Sequence, residues 1–360
     1  MLVAASDKRF FARHLLQWNR EKNRRQMPWK GEKDPYKIWL SEVILQQTRV
    51  EQGLDYYEKF IREFPDINRL AKAPDKRIYK LWEGLGYYTR CKNLIATARF
   101  ISREMKGKFP RSYEEIIKLK GVGTYTAAAI ASFAYNLPYA AVDGNVSRVL
   151  SRVFGLKKAI DTTAGKKFFT RLAQQLLDKK RPGIYNQALM DFGATVCRPV
   201  NPLCSDCVFK KKCKAFILNK TDELPVKEKK IMIRKRWFYY LVMEFNSKLL
   251  IRQRTAKDIW RHLYEFALIE SVKKISVAGV LKQAEKSGLI EKGFYNVLHV
   301  SPVQHQQLSH QKISGQFIRL KPGKMPRKAG LEAVSPKLAS RRYAFPRFIN
   351  SYLQAGFDGK

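Results

Sequence analysis

Four cysteines, spaced Cys197-x6-Cys204-x2-Cys207-x5-Cys213, are the densest set of chemically capable residues in this chain. Four thiolates in so short a stretch can close on one soft metal centre. Zinc is one reading, although structural zinc sites use close pairs and only Cys204 and Cys207 have that spacing. A 4Fe–4S cube, which accepts wider loops between its ligands, is the other. Cys91 stands apart and reads as a small core residue. Metal ligation by thiolates fits a reducing intracellular setting better than disulfides do. Lys210, Lys211 and Lys212 fill the last inter-cysteine loop. Such a run is commonly a solvated face; held on a rigid loop, it can instead meet phosphates.

Two carboxylates are candidates for acid–base work. Glu42 follows the helix opening Asp34-Pro35 and falls at the margin of an apolar stripe formed by Tyr36, Trp39, Leu40, Val43 and Ile44. An acid there is usually a solvated flank residue, but a partly buried one keeps its proton to higher pH, as a general acid requires. Asp143, in Val142-Asp143-Gly144-Asn145-Val146, precedes a helix with apolar positions Val146, Val149, Leu150 and Val153. Asp-Gly is also an ordinary turn.

Between them lies Leu119-Lys120-Gly121-Val122-Gly123-Thr124-Tyr125. Ser112 and Glu115 form a capping box for a helix ending near Lys120. Thr124 is expected to cap an alanine-rich helix running to about Tyr135. Two helices joined by Gly-Val-Gly make a helix-hairpin-helix, in which Gly121 and Gly123 let the backbone approach a phosphate at the second helix's N-terminus. An ordinary helix–helix turn is the simpler alternative.

The elements that hold these residues can be read coarsely. The 360 residues exceed one typical domain. Residues 1–218 read as an all-α domain of short amphipathic helices, and 219–236 as a charged linker. In 237–360, strand-like runs such as Trp237–Met243, Lys248–Arg252 and Gly315–Leu320 indicate an α+β domain. Lys and Arg number 70 against 31 Asp and Glu, a net charge of +39, which calls for a polyanionic partner. No secretory signal peptide fits the opening residues and no apolar run is long enough to span a bilayer, so an intracellular (cytoplasmic or nucleoid) protein without a membrane partner is expected.

Taken together, Pro28-Trp29, Asp34-Pro35-Tyr36, Trp39-Leu40-Ser41-Glu42-Val43-Ile44-Leu45-Gln46-Gln47-Thr48, Gly84-Leu85-Gly86-Tyr87-Tyr88-x-Arg90, the Gly-Val-Gly hairpin, Val142–Val146 and the cysteine spacing resemble the endonuclease III superfamily. Within it they resemble the A/G-specific adenine DNA glycosylases (the MutY family), over nearly the whole chain. The resemblance implies a helix-hairpin-helix glycosylase domain with one 4Fe–4S cluster on Cys197, Cys204, Cys207 and Cys213, joined to a C-terminal Nudix-like domain. It implies excision of adenine opposite 8-oxoguanine or guanine in double-stranded DNA, by a protein expected to be a monomer. In that chemistry the base is flipped into a pocket. Glu42 protonates the adenine, and Asp143 stabilises the oxocarbenium-like sugar with Tyr125 and Asn145 around it. Gln47 and Tyr87 resemble residues that wedge into the base stack. Strand-nicking relatives carry a lysine where Tyr125 stands; a phenol forms no Schiff base, so the resemblance implies a monofunctional enzyme.

His305–His310 resembles the family's 8-oxoguanine recognition loop, with Leu308 in place of an aromatic before Ser309 and His310. Trp260-x4-Glu265-Phe266 resembles a family segment in which His262 and Ala267 stand where Gly and Pro are usual. Residues 255–290 lack the paired Arg-Glu and Glu-Glu residues of active Nudix hydrolases, which implies a sensor. Two alternatives stay open: an endonuclease III-like glycosylase of oxidised pyrimidines, opposed by Tyr125, Gln46-Gln47 and the large second domain, and a non-enzymatic iron–sulfur DNA-binding regulator, opposed by Glu42 and Asp143.

Overall fold

The computed structural model describes residues 4–228, 232–326 and 330–355. The chain divides into two compact units, one of residues 1–72 and 92–230, the other of 73–91 and 231–360. This division is not linear: a stretch inside the helical half groups with the C-terminal half. Among the described residues no helix is long and apolar enough to cross a membrane.

The first unit is helical, as its sequence pattern predicts. It contains α1 (Ala5–Glu21), α2 (Pro35–Leu45), α3 (Val50–Glu63) and α4 (Ile67–Lys72). After α5 (Asp75–Trp82), which belongs to the second unit, come α6 (Thr89–Glu104), α7 (Tyr113–Ile116), α8 (Thr124–Tyr135) and α9 (Gly144–Phe154). It closes with α10 (Thr163–Leu176), α11 (Pro182–Thr195) and α12 (Lys214–Ile217).

Helices α1, α9, α10 and α11 share one apolar core built on Leu15, Val149, Phe169, Leu189 and Phe192. Removing side chains of that size from water supplies roughly 1.5–3 kcal/mol each. The helix α11 packs close to α9 because Gly193 carries no side chain; a Cβ there would meet Asn145 Cβ at 2.7 Å. Asn186 of α11 donates to Ser132 Oγ (2.9 Å) and Tyr139 O (2.8 Å) and accepts from Ala141 N (3.2 Å). These bonds fix the loop that leads into Asp143.

The charged segment expected to be a linker over 219–236 is partly domain. Leu224 is buried in the first unit's core and Val226 O accepts from Ile160 N at 3.0 Å. The apolar Leu224-Pro225-Val226 triplet outweighs the surrounding charge. Residues 229–231 of that segment lie outside the described residues, and Arg234 already begins a strand.

The second unit holds a mixed sheet of β1 (Arg234–Phe245), β2 (Lys248–Gln253), β3 (Tyr264–Glu265), β4 (Ala267–Ser271), β5 (Tyr295–Val300), β6 (Gln304–Gln307), β7 (Gln311–Pro322) and β8 (Glu332–Val334). The helices α13 (Val277–Lys286), α14 (Pro336–Arg342) and α15 (Arg347–Gln354) join it. Strands β1 and β7 pair in parallel at the centre, with β4 antiparallel to β1 and with β5 and β6 antiparallel to β7. Period-two alternation sends Tyr239, Leu241 and Met243 to a core shared with Val280 and Ala284 of α13. On β1, Phe238 and Tyr240 belong to the other set: Tyr240 stacks on Phe317, which stacks on Tyr352 of α15 at 4.0 Å. The α+β expectation therefore holds.

Candidate active site

Glu42 sits one turn before the end of α2, which Asp34 caps by accepting from Tyr36 N at 2.9 Å. The helix is not half-exposed, as its stripe suggested: every residue from Ile38 to Ile44 is buried, Ser41 and Glu42 included. Loss of solvent pushes the Glu42 carboxyl up to about 7; a hydrogen bond with the Tyr125 hydroxyl opposes the rise and the nearby Asp143 charge reinforces it. Tyr125 lies on the first turn of α8, and its hydroxyl also reaches Met190 Sδ on α11 at 3.9 Å. Burial raises the phenol well above its ordinary range, so it acts as a neutral donor.

Asp143 is the N-cap of α9. Its Oδ1 accepts from Val146 N (2.7 Å) and its Oδ2 from Asn145 Nδ2 (2.8 Å). Burial raises this carboxyl too, but both hydrogen bonds and the Arg148 guanidinium favour its anion. Glu42 has only the Tyr125 hydroxyl on that side. Hydrogen bonds from Val146 N and Asn145 and the Arg148 charge thus favour the anion at Asp143, whereas at Glu42 a single phenol hydrogen bond opposes the effect of burial.

The structure brings Glu42, Tyr125, Asp143 and Asn145 together from α2, α8 and the start of α9. The hairpin adjoins them. The capping box of Ser112 and Glu115 forms on α7, as expected. Thr124, expected to be a cap, is instead the first helical residue; Gly123 is the N-cap and supplies no side-chain acceptor. No side chain therefore caps the first amides of α8. Gly121 has φ +80°, and a Cβ there would meet Asn93 Cβ at 2.7 Å, whereas the space beside Gly123 is open.

Gln47 and Tyr87 stand exposed on left-handed backbone, with φ +57° and +47°. Few non-glycine residues adopt this conformation, which occurs here in the turns that follow α2 and precede α6. In the second unit, Leu308, Ser309 and His310 form the turn between β6 and β7, closed by Leu308 N donating to Gln311 O at 2.7 Å. Ser309 and His310 are exposed, His310 O accepts from Arg234 N at 3.0 Å, and the Ser309 hydroxyl hydrogen-bonds the Tyr87 hydroxyl. The His262 backbone is left-handed, φ +74°, the conformation for which glycine is favoured.

Residues that sequence reasoning missed tie this site together. Arg148 donates to Asn145 Oδ1, Gly193 O and Cys197 O, each at 2.8 Å. One turn later Arg152 donates to Arg198 O (2.6 Å), Leu224 O (2.9 Å) and Cys197 Sγ (3.6 Å). Two arginines four apart on the face of α9 that also carries Val149 were the available signal. Asp191, fully buried, takes Arg25 (3.0 Å), Lys30 (3.2 Å), Asn23 (2.9 Å) and Gln187 (3.1 Å), and so anchors the segment before α2 to α11.

Cys197, Cys204, Cys207 and Cys213 form no disulfide, and Cys91 is buried in the core. Cys207 lies within electrostatic reach of the other three ligand candidates, and Phe209 N donates to its sulfur at 3.4 Å. Among the described residues no three His, Cys, Asp or Glu side chains converge closely enough to hold a single metal ion. Lys210 is tethered by Ser205 O at 2.9 Å, Lys212 pairs with Asp7 at 3.4 Å, and Lys211 is exposed.

Residues 40–176 match the family model of the HhH-GPD superfamily base excision DNA repair proteins. The chain is 38% identical over 257 residues to the adenine DNA glycosylase of Buchnera aphidicola subsp. Baizongia pistaciae, covering 71% of this chain and 73% of that protein. To the adenine DNA glycosylase of Buchnera aphidicola subsp. Schizaphis graminum it is 32% identical over 300 residues, covering 81% and 86%. Among solved structures it is similar to a thermostable thymine-DNA glycosylase, at 30% identity and a TM-score of 0.55, over 60% of this chain and 100% of that one. With such identity sustained over most of both chains, this chain belongs to the adenine DNA glycosylase family.

Proposed function

We propose that the protein is a monofunctional DNA N-glycosylase that removes adenine mispaired with 8-oxoguanine, or with guanine, during base excision repair. One observation carries this reading: a buried glutamic acid that keeps its proton near pH 7 faces a hydrogen-bonded aspartate across a tyrosine. The adenosine leaves the duplex and enters the pocket. Glu42 gives its proton to the adenine ring, and the C1′–N9 pair of electrons departs with the base. The sugar acquires oxocarbenium character, which the Asp143 anion stabilises. Glu42, now ionised, takes a proton from the water that attacks C1′ and returns to its starting state. Tyr125 holds Glu42, Asn145 holds Asp143, and neither supplies an amine for a covalent intermediate.

The amides at the start of α8 and the Gly121–Gly123 turn would hold a phosphate beside the flipped nucleotide, with Lys210 and Lys211 on neighbouring phosphates, Lys212 being turned to Asp7 of α1, and with Gln47 and Tyr87 in the stack. The four thiols fit one 4Fe–4S cluster: a cube gives each thiolate its own iron, so four sulfurs need not converge on one point, and N–H donors from Phe209 and Arg152 already face two of them. Bound there, the cluster would supply a rigid covalent clasp for the 197–213 loop. The second unit is proposed as a Nudix-like sensor that reads 8-oxoguanine through the Leu308-Ser309-His310 turn.

The test is a duplex with one A:8-oxoguanine pair, incubated with the protein and treated with alkali; strand cleavage at the adenosine is expected, with no borohydride-trapped covalent complex. An uncleaved adenosine strand would overturn the reading. Ser309→Ala with His310→Ala should reduce the preference for A:8-oxoguanine over A:T about tenfold to a hundredfold, as loss of one or two hydrogen bonds implies. An unchanged ratio places recognition elsewhere.

A further inference from the structure

An open groove of about 1060 Å³ runs beside α1 in the first unit. Five of its lining residues are cations: Arg9, Arg13 and Arg20 on α1, Arg181 at the start of α11, and Lys212. The only carboxylate in the lining, Asp178, pairs with Arg181 at 2.9 Å. Lys212 is fixed at one wall by Asp7 at 3.4 Å and by the Phe10 ring at 4.6 Å. Arg9 and Arg13 form no ion pair among the described residues, and both are exposed.

Helical spacing puts Arg9, Arg13 and Arg20 on one face. From Arg9 to Arg20 the axis advances about 16 Å at 1.5 Å per residue. A duplex carries roughly nine phosphates over that length, so the groove presents a row of cations to a row of anions. Four of the five cations are arginines, whose planar forks suit phosphate oxygens.

This groove is separate from the phosphate site at the hairpin. Gly123 and Tyr125 lie at the N-terminal end of α8. The Arg181 wall lies at the other end, where Asn136, the C-cap of α8, donates to Lys180 O at 3.4 Å and Gly183 packs on Ser132 O. A 12-residue helix separates the two by about 18 Å.

We propose that the α1 groove binds the phosphate backbone of a second DNA segment while the hairpin side holds the duplex under inspection. Contact with two segments at once lets the protein pass between them without full release. The inference rests on the DNA-acting function proposed above, and it gives part of the large positive charge a task that one footprint does not require.

The test uses the full chain, first saturated with a duplex of about 20 base pairs whose 8-oxoguanine faces a 2′-fluoroadenosine. That fluorine disfavours the cationic sugar, so the base is retained. A fluorescent undamaged duplex of the same length is then titrated across salt concentrations. The wild type should bind it with a log–log salt slope near −4, corresponding to about four released counterions. Arg9→Ala/Arg13→Ala/Arg20→Ala/Arg181→Ala should weaken the second duplex at least tenfold, flatten the slope, and leave first-duplex affinity and single-turnover excision unchanged. Arg9→Gln/Arg13→Gln, which spares every ion pair in the groove, should remove about half of that slope. No second duplex on the wild type, an unaltered second duplex on the variants, or equal weakening of both duplexes would each overturn the groove assignment. Failure of the wild type to bind the first duplex or to excise adenine counts against the proposed function instead.

Discussion

Glu265 in the second unit and Glu42 in the first are both withdrawn from water, at 2% and 5% exposure, in contrasting company. Glu265 accepts from Arg254 at 2.7 Å and Arg252 at 3.2 Å. Around it Arg236 binds Asp258 and Glu270 at 2.6 Å each, and Arg254 binds Asp258 at 2.6 Å. Arginine hydrogen bonds hold Asp258 well below the usual carboxylate range. Glu42 forms no ion pair among the described residues and meets only a phenol on the side that favours its anion. A buried acid clasped by guanidinium groups is tied into a structural ion-pair network; a buried acid without a cation is poised to exchange a proton. The same burial therefore does two jobs, and the neighbours decide which.

The contrast can be broken by making one substitution at both sites. Glu42→Gln should cut single-turnover excision about 10²–10⁴-fold, the scale of general acid catalysis. Affinity for the A:8-oxoguanine duplex should stay near wild type; a loss under tenfold in rate would remove Glu42 as the donor. Glu265→Gln should leave the chemistry of folded protein intact but cost about 1–3 kcal/mol of stability, because it breaks a buried charged hydrogen bond while Arg254 keeps Asp258. The urea midpoint reads this directly. Asp143→Asn should slow excision about 10²–10³-fold through lost stabilisation of the cation. Asn also caps helices well, so the melting temperature should hardly move; a change in stability alone would make Asp143 a cap and nothing more.

Stability should respond to Glu42→Gln with the opposite sign to Glu265→Gln. The Glu42 carboxyl titrates near 4.5 when unfolded and near 7 when folded. The unfolded chain releases its proton first, so this residue lowers stability progressively from about pH 4.5 to about pH 7 and by a constant amount above that. Removing it should stabilise the protein at pH 8 by up to about 3 kcal/mol, with little gain at pH 4.5. A destabilised variant at pH 8 would mean that Glu42 has a cation after all. The smallest expected effect is on rate: wild-type excision should fall about tenfold per pH unit above roughly 7, as the donor loses its proton.

Much of this site is legible in the sequence because its chemistry is local. Asp143 precedes its helix by one residue, and the capping box of Ser112 and Glu115 spans four. The fit of α2 was less so. Periodicity suggests a margin for Glu42, whereas the packing of α2 against α3 and α8 buries every residue from Ile38 to Ile44, and no linear pattern encodes a neighbour distant in sequence. Arg148 and Arg152 escaped notice for the same reason: their partners Cys197 and Leu224 lie about 50 and 70 positions away. The second unit's strands are readable from their β-formers, and the left-handed backbone at His262 from its standing where Gly is usual, but the left-handed turns at Gln47 and Tyr87 are not, since ordinary residues there break the glycine rule.

The non-linear division of the chain also bears on how it is made. Residues 73–91 carry Lys76, whose ammonium lies 3.2 Å from the Tyr343 ring centroid, Lys80, which donates to Tyr343 O, and Glu83, which accepts from Phe345 N. During synthesis this segment leaves the ribosome with its partners still untranslated. At about 5–20 residues per second, Phe345 follows roughly 15–50 s later. For most of that interval Tyr79, buried in the finished fold, lacks the His262 ring that lies 5.6 Å from its own. The unit to which residues 73–91 belong can therefore close only after the last third of the chain has been made.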